Sequence, residues 1–209
     1  VMHIGKLVSD TMQKLGERRT KVILVHRLDK ETSGVMILAR NPRAATFFTE
    51  QFKHREVQKR YLALVHGTCR RDEFVEKASL SRLDRQGFVR VDRRGKKAET
   101  HFHRLSSVGQ IHLMGCVPTT GRSHQIRVHL AHNHLPILGD KRYLTGHPEI
   151  PPPLKPIAQR RHCLHAYTLE LALAPGKPAQ RFVAKVDSPL EKALFDLGIK
   201  LPEASGGLF

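Results

Sequence analysis

A chain of 209 residues that is 40% hydrophobic is long enough to bury a core, which excludes a disordered tail. Its formal net charge of +17 points to a polyanionic partner; nucleic acid stands ahead of a membrane surface, because no helix carries a dedicated basic face. No run approaches the ~18 apolar residues of a membrane span, and an absence of Trp with only 6% aromatics argues against a binder that works mainly by stacking along a single strand.

In chain order, residues 22–28 form an apolar run that predicts a buried strand. Residues 29–34 make a polar turn, and residues 35–39 predict a second strand. Asn41 followed by Pro42 marks a helix start, after which Ala45, Phe48 and Phe52 recur on one helical face. Residues 61–65 predict a strand ended by Gly67. Strands at 88–91 and 99–105 flank the basic turn Arg93-Arg94-Gly95-Lys96-Lys97, and residues 111–117 form another. Beyond the turn at Thr119-Thr120-Gly121, Ser123 is placed to cap a helix running through Leu130. The proline-rich stretch 145–156 predicts a surface loop, 167–173 and 182–186 predict late strands, and Ser188-Pro189 opens a short helix. Many short strands with few helices, no repeat and no dividing linker predict one α+β domain over 1–209, with a mixed, largely antiparallel β-sheet core and flanking helices.

Three segments carry candidate chemistry. In His26-Arg27-Leu28-Asp29-Lys30-Glu31-Thr32-Ser33-Gly34 a carboxylate follows directly on a strand, where a rigid base aims it into a cleft. Arg27, two residues earlier, shares the strand face of Asp29. An ordinary turn, with Asp and Ser bonding local amides, competes with that reading. In Gly121-Arg122-Ser123-His124-Gln125-Ile126-Arg127-Val128-His129-Leu130, helical spacing puts His124, Arg127 and Val128 on one face. Arg127 there is able to keep a buried carboxylate ionised, and the helix start is able to hold a phosphate. A solvated basic face is the alternative. In Lys59-Arg60-Tyr61-Leu62-Ala63 a tyrosine at a strand start offers its ring to a base and its hydroxyl to a proton, although a core tyrosine is the commoner case.

Taken together, these segments resemble the RluA-type RNA pseudouridine synthases. The His-Arg-Leu-Asp-x-x-Thr-Ser-Gly loop is complete at 26–34, Lys-x-Tyr-x-Ala falls at 59–63, and Gly-Arg-x-His-Gln-Ile-Arg-Val-His-Leu at 121–130. Pro136-Ile137-Leu138-Gly139-Asp140 with Tyr143 is similar to the next family block, and Leu164-His165-Ala166 to a late one. The resemblance implies a pseudouridine synthase fold with a central active-site cleft. It implies isomerisation of uridines in structured RNA, ribosomal more than transfer RNA, by base flipping and Asp-dependent glycosidic cleavage and rejoining through carbon, with no cofactor and no metal. It also implies that Asp29 acts on the nucleotide, Arg127 pairs with it and Tyr61 stacks under the uracil. Arg27 would enter the space the base vacates, and His26, Arg122, His124 and Lys59 would contact RNA. The family's opening strand is reduced here at most to Val1-Met2-His3, and its small N-terminal RNA-binding domain is not seen; a trimmed catalytic domain is the expectation.

A metal site among the 14 histidines is disfavoured by the lack of a paired Cys-x-x-Cys or His-Glu-x-x-His spacing. A non-catalytic RNA-binding module on the same fold is the second alternative, and the presence of Asp29, Tyr61 and Arg127 together speaks against it. Cys69, Cys116 and Cys163 are odd in number and scattered, which does not resemble a disulfide framework and favours a reducing, cytoplasmic setting. A monomer acting on RNA, away from membranes, is the expectation.

Overall fold

The structure, a computed structural model, describes residues 4–16, 21–144 and 150–201. Its centre is a seven-stranded sheet in the order β2 (Ser33–Gly34), β8 (Leu164–Ala172), β4 (Gln58–His66), β7 (Ile111–Pro118), β6 (Thr100–Val108) and β5 (Glu73–Glu76), with β9 (Ala179–Val183) also on β8. Every pairing in it is antiparallel except β2 with β8. This is the mixed, largely antiparallel α+β core expected from the sequence. The main core forms where Leu62, Leu64, Phe102, Leu113 and Met114 of β4, β6 and β7 meet Ile126 and Leu130 of α3 (Gln125–His132) and Leu190 and Leu194 of α5 (Ser188–Asp196). A smaller core forms where α2 (Pro42–His54) covers Leu169 and Leu171 of β8.

Helix α2 begins as the sequence predicts. The Asn41 side chain accepts a hydrogen bond from Ala44 N–H at 2.9 Å, with Pro42 in the first turn. Its buried Gln51 bonds both the N–H and the C=O of Ala172, at 3.0 Å each, and so fixes the helix against the end of β8.

Several elements differ from expectation. The run 22–28 is not a buried strand: only Ile23–Leu24 (β1) is extended, pairing with Leu38–Ala39 (β3), and Leu24 is half exposed. Ile23 and Val25 pack against the smaller core instead, so the apolar residues serve a partly covered ribbon and the chain from 25 onward is free to turn. Residues 88–91 form no strand, and Val91 makes a single bridge to Leu80. The short β5 was not expected, because its four residues set two apolar side chains between two charged ones and show no strand period. Ser123 does not cap α3. The helix starts at Gln125 behind a left-handed His124 (φ 54°), and the Gln125 side-chain Oε1 accepts the Arg122 N–H at 3.0 Å. Within the expected loop 145–156, Pro152–Leu154 is a 3-10 turn leading into α4 (Lys155–Ala158), and 145–149 lie outside the described residues. A helix not expected at all, α1, spans Ile4–Lys14; Val1-Met2-His3 lie outside the described residues.

The junction of β2 with β8 decides where the site lies. Gly34 adopts φ 115°, and a Cβ there would meet the Ala166 carbonyl oxygen at 2.1 Å. Only glycine allows both that conformation and that approach. Gly34→Ala is therefore expected to destabilise the protein by more than about 2 kcal/mol. Urea unfolding measures this, and a midpoint equal to the parent's would contradict the packing described.

Candidate active site

A cleft of about 510 Å³ opens where the turn after β1, the end of α2, the start of β4, the end of β7 and the start of α3 converge. Its size suits a small ligand or a single nucleotide unit. Arg27, Lys53, Arg55, Lys59, Arg122 and Arg127 all line it, and Asp29 is its one acidic lining residue. Val57, Ile126, Leu164 and the Tyr61 ring supply an apolar wall. The cleft thus offers a flat apolar surface, a single carboxylate and a cationic rim.

Asp29 reaches the floor on a turn, closed by a hydrogen bond from Thr32 N–H to the Asp29 carbonyl at 3.0 Å. Arg127 of α3 donates from Nη1 to its carboxylate at 3.2 Å. The arginine is itself held from behind: Nε and Nη2 donate to the two oxygens of the fully buried Asp140 at 2.7 and 2.9 Å. Such a paired fork fixes the guanidinium plane and leaves one edge for Asp29. The Tyr143 ring lies 4.9 Å from the guanidinium carbon. Burial opposes the Arg127 charge, but the bonds to Asp140 and the charges of Asp140 and Asp29 outweigh it and raise its pKa further. For Asp140 burial likewise opposes ionisation, and Arg127 reverses the balance so that its pKa falls.

All eight residues singled out in the sequence line this one cleft. Tyr61 stands on β4 with its hydroxyl pKa pushed up, by burial first and then by the charge of Asp29; it keeps its proton at neutral pH. Lys59 donates to the Thr120 carbonyl at 3.3 Å, and burial and then the charge of Arg55 bring its pKa down to about 8. His26 accepts the Ile37 N–H at 3.0 Å and stacks on Phe52 with ring centroids 4.7 Å apart. Arg122 donates to the Lys97 carbonyl at 3.1 Å. His124 precedes α3 and its Nδ1 lies 2.7 Å from the Tyr143 hydroxyl. The shared helical face expected for His124, Arg127 and Val128 is not formed: His124 lies before the helix, and Val128 packs with Leu80, Val89, Ala98 and Tyr143.

The structure adds residues that the motifs alone did not mark as parts of the site. Asp140 anchors Arg127, and Gln125 bonds the Thr120 hydroxyl, Arg122 N–H, the Glu99 carbonyl and the Thr100 hydroxyl, closing the turn that bears Arg122 and His124. His162 sits below the Asp29 turn, 2.8 Å from Thr32 Oγ1. A block of sequence around Asp140 and Tyr143 was visible, but its partner in space was not. Among the described residues no group of three or more His, Cys, Asp or Glu is arranged to hold a metal, and no helix is long and apolar enough to cross a membrane.

A profile of the RNA pseudouridylate synthase family matches residues 5–132. The chain belongs to that family. Its likeness to ribosomal large subunit pseudouridine synthases places it in the RluA-type branch of the pseudouridine synthases. Synthase C of Buchnera aphidicola is 38% identical over 65% of this chain and 44% of its own length. An uncharacterised RNA pseudouridine synthase of Zymomonas mobilis is 36% identical over 84% of this chain and 76% of its own. Among solved structures, the human RNA pseudouridylate synthase domain containing 4 superposes with a TM-score of 0.78 at 28% identity, covering 97% of this chain and 86% of that one. The matched region spans under half the length of the synthase C and synthase D relatives of Buchnera aphidicola and Borreliella burgdorferi.

Two histidines beside the cleft give the stability of the protein a defined pH dependence. Burial, then Lys59, takes His26 down to about 4; burial, then Arg127, takes His162 down to about 4. Both are depressed from an ordinary value of 6.5, so the unfolded chain binds their protons first. The stability they support is fully present above pH 6.5 and is lost as the pH falls toward 4, at up to about 1.4 kcal/mol per pH unit for each. Urea midpoints at pH 7.5 and pH 5 measure this, with a lower midpoint expected at pH 5; an unchanged midpoint would contradict neutral, buried imidazoles.

Proposed function

We propose that this chain is an RNA pseudouridine synthase that isomerises uridines in structured RNA, with ribosomal RNA as the substrate class. The observation that carries the reading is a lone cleft carboxylate held by a buried arginine, opposite a protonated tyrosine and inside a cationic rim. The isomerisation breaks the bond from ribose C1′ to uracil N1, forms one from C1′ to C5, and moves a proton from C5 to N1. It involves no net redox change, so a carboxylate and a proton relay suffice. Asp29 acts on the target nucleotide as nucleophile or base, and Arg127 keeps it ionised and aimed. The Tyr61 ring lies under the uracil, and its hydroxyl serves the proton transfer. The substrate class follows the printed names of synthase C and synthase D, which are ribosomal large subunit enzymes.

A uridine in a stem-loop hides its glycosidic bond, so the base must leave the stack at a cost of a few kcal/mol. Arg27 at the cleft mouth takes the vacated space, and Lys59, Arg122, His124 and His26 line the path of the strand. Their charges set affinity and salt dependence rather than sequence choice. The described residues act as one catalytic unit around this sheet, as a monomer in the cytoplasm, where a reducing milieu suits three free, buried cysteines.

Asp29→Asn is expected to fold and to lower pseudouridine formation at least about 10³-fold. Release of tritium from 5-tritiated uridine in large-subunit ribosomal RNA measures it, and turnover within tenfold of the parent would refute the assignment. Arg27→Ala is expected to slow reaction on a stem-loop at least about tenfold more than on a short flexible strand bearing the same uridine. Arg27→Lys should not restore the stem-loop rate, because lysine keeps the charge and loses the planar stacking surface. Full rescue by lysine, or equal loss on both RNAs, would reduce Arg27 to an electrostatic contact.

A further inference from the structure

Asp29 stands on no regular element. Its turn runs into β2, which is only two residues long, and a single bond of 3.2 Å joins its carboxylate to an arginine already engaged twice by Asp140. One bond at the tip of a side chain fixes its distance but not the position of the backbone that bears it. A second constraint acts from below. His162 is 2% exposed, its Nε2 lies 2.8 Å from Thr32 Oγ1, and Thr32 N–H closes the Asp29 turn. We propose that His162 is a positioning residue for Asp29, holding the catalytic turn in register through its hydrogen bond to the Thr32 hydroxyl. This rests on the reading of Asp29 as the reacting carboxylate.

The chemistry around the imidazole supports this role. It faces the charges of Glu31, Asp29, Asp140 and Arg127. Burial and Arg127 keep it neutral, so one nitrogen is an acceptor and the other a donor. Glu31 Oε2 lies 3.7 Å from Nδ1. A proton on Nδ1, facing that carboxylate, leaves Nε2 to accept the Thr32 O–H. The adjoining hydroxyl repeats the motif: Arg161 donates to Ser33 Oγ, Ser33 lies 2.9 Å from His165 Nδ1, and His165 Nε2 lies 3.1 Å from the Ala184 carbonyl. The two hydroxyls after the Asp29 turn are thus clasped by the two histidines flanking Cys163 and Leu164. The Ser33 clasp secures β2 on β8, at the register Ser33 to His165. The Thr32 clasp lies one residue nearer Asp29, and Thr32 itself lines the cleft.

The test compares the full chain with His162→Leu, His162→Gln, Thr32→Val and the Thr32→Val/His162→Leu double variant, on a ribosomal RNA fragment that the parent converts. If the parent converts no uridine in any large-subunit RNA, the functional reading fails, and His162 is not at issue. With an active parent, His162→Leu and Thr32→Val are each expected to lower kcat at least about tenfold, with KM for RNA within about twofold. Loss of a positioning contact slows the bound complex without weakening binding. The double variant should be no slower than the slower single, because both remove one bond. His162→Gln, which keeps a polar group in place, should recover at least about a third of the parent kcat. Should His162→Leu fail to fold, Thr32→Val and His162→Gln decide by the same measures. A kcat within twofold of the parent in Thr32→Val, a loss in KM alone, or multiplicative effects in the double variant would overturn the proposal.

Discussion

Arg127 is buried between two carboxylates that come from different parts of the chain, and the arrangement of the cleft follows from that constraint. A guanidinium taken out of water demands hydrogen-bonded anionic partners. Asp140, fully buried, meets the demand with both oxygens and leaves one N–H edge for Asp29. Because Asp140 also accepts from Arg142 N–H at 3.0 Å and Tyr143 N–H at 3.2 Å, the loop after β4's partner residues at 137–138 is tied to the same charge. Removing either member of such a pair strands the other in the interior, which typically costs about 3–5 kcal/mol. The site is therefore built into the stability of the fold rather than laid on its surface.

That coupling extends outward through Tyr143. Its ring covers the Arg127 guanidinium, its hydroxyl accepts the Val89 N–H at 2.9 Å, and the same hydroxyl meets His124. The arm from Leu80 to Lys96, held together by bridges of Leu80 to Val91 and Lys96, is thereby seated on the residue that stacks on the buried Arg127. The arm carries exposed basic residues, Arg93 and Arg94 among them, and reaches Arg127 through Tyr143.

The electrostatic design of the cleft separates permanent from conditional charge. Arginines supply cations that do not titrate near neutrality. The histidines close by, the partly buried His26 and the buried His162, are held neutral by desolvation and by neighbouring cations, so they brace backbone and hydroxyl groups without adding charge. Lys59, brought down to about 8, is the cleft cation most responsive to an arriving phosphate, which would favour its charged form.

The sequence by itself determined the motif segments, the α+β class and the strands at 61–65, 99–105 and 111–117, because these depend on local features: short strand-like runs bounded by turn residues, a cap at Asn41, a tyrosine and a carboxylate beside apolar runs. Eight of the residues that line the cleft were legible in it, through the motif segments. It misjudged 22–28, since an apolar run does not say whether a sheet or only a helix flank will cover it, and it placed the start of α3 at Ser123, where a left-handed His124 instead delays the helix to Gln125, whose N–H bonds the Arg122 carbonyl at 3.2 Å. Tertiary structure alone decided what holds the site together. The bonds from Arg127 to Asp29 and to Asp140 span 98 and 13 residues, and the Thr32 to His162 contact spans 130. No local periodicity encodes such pairings. They exist because β8 returns beside β4 and brings the segment before it, with His162, under a turn more than a hundred residues earlier in the chain.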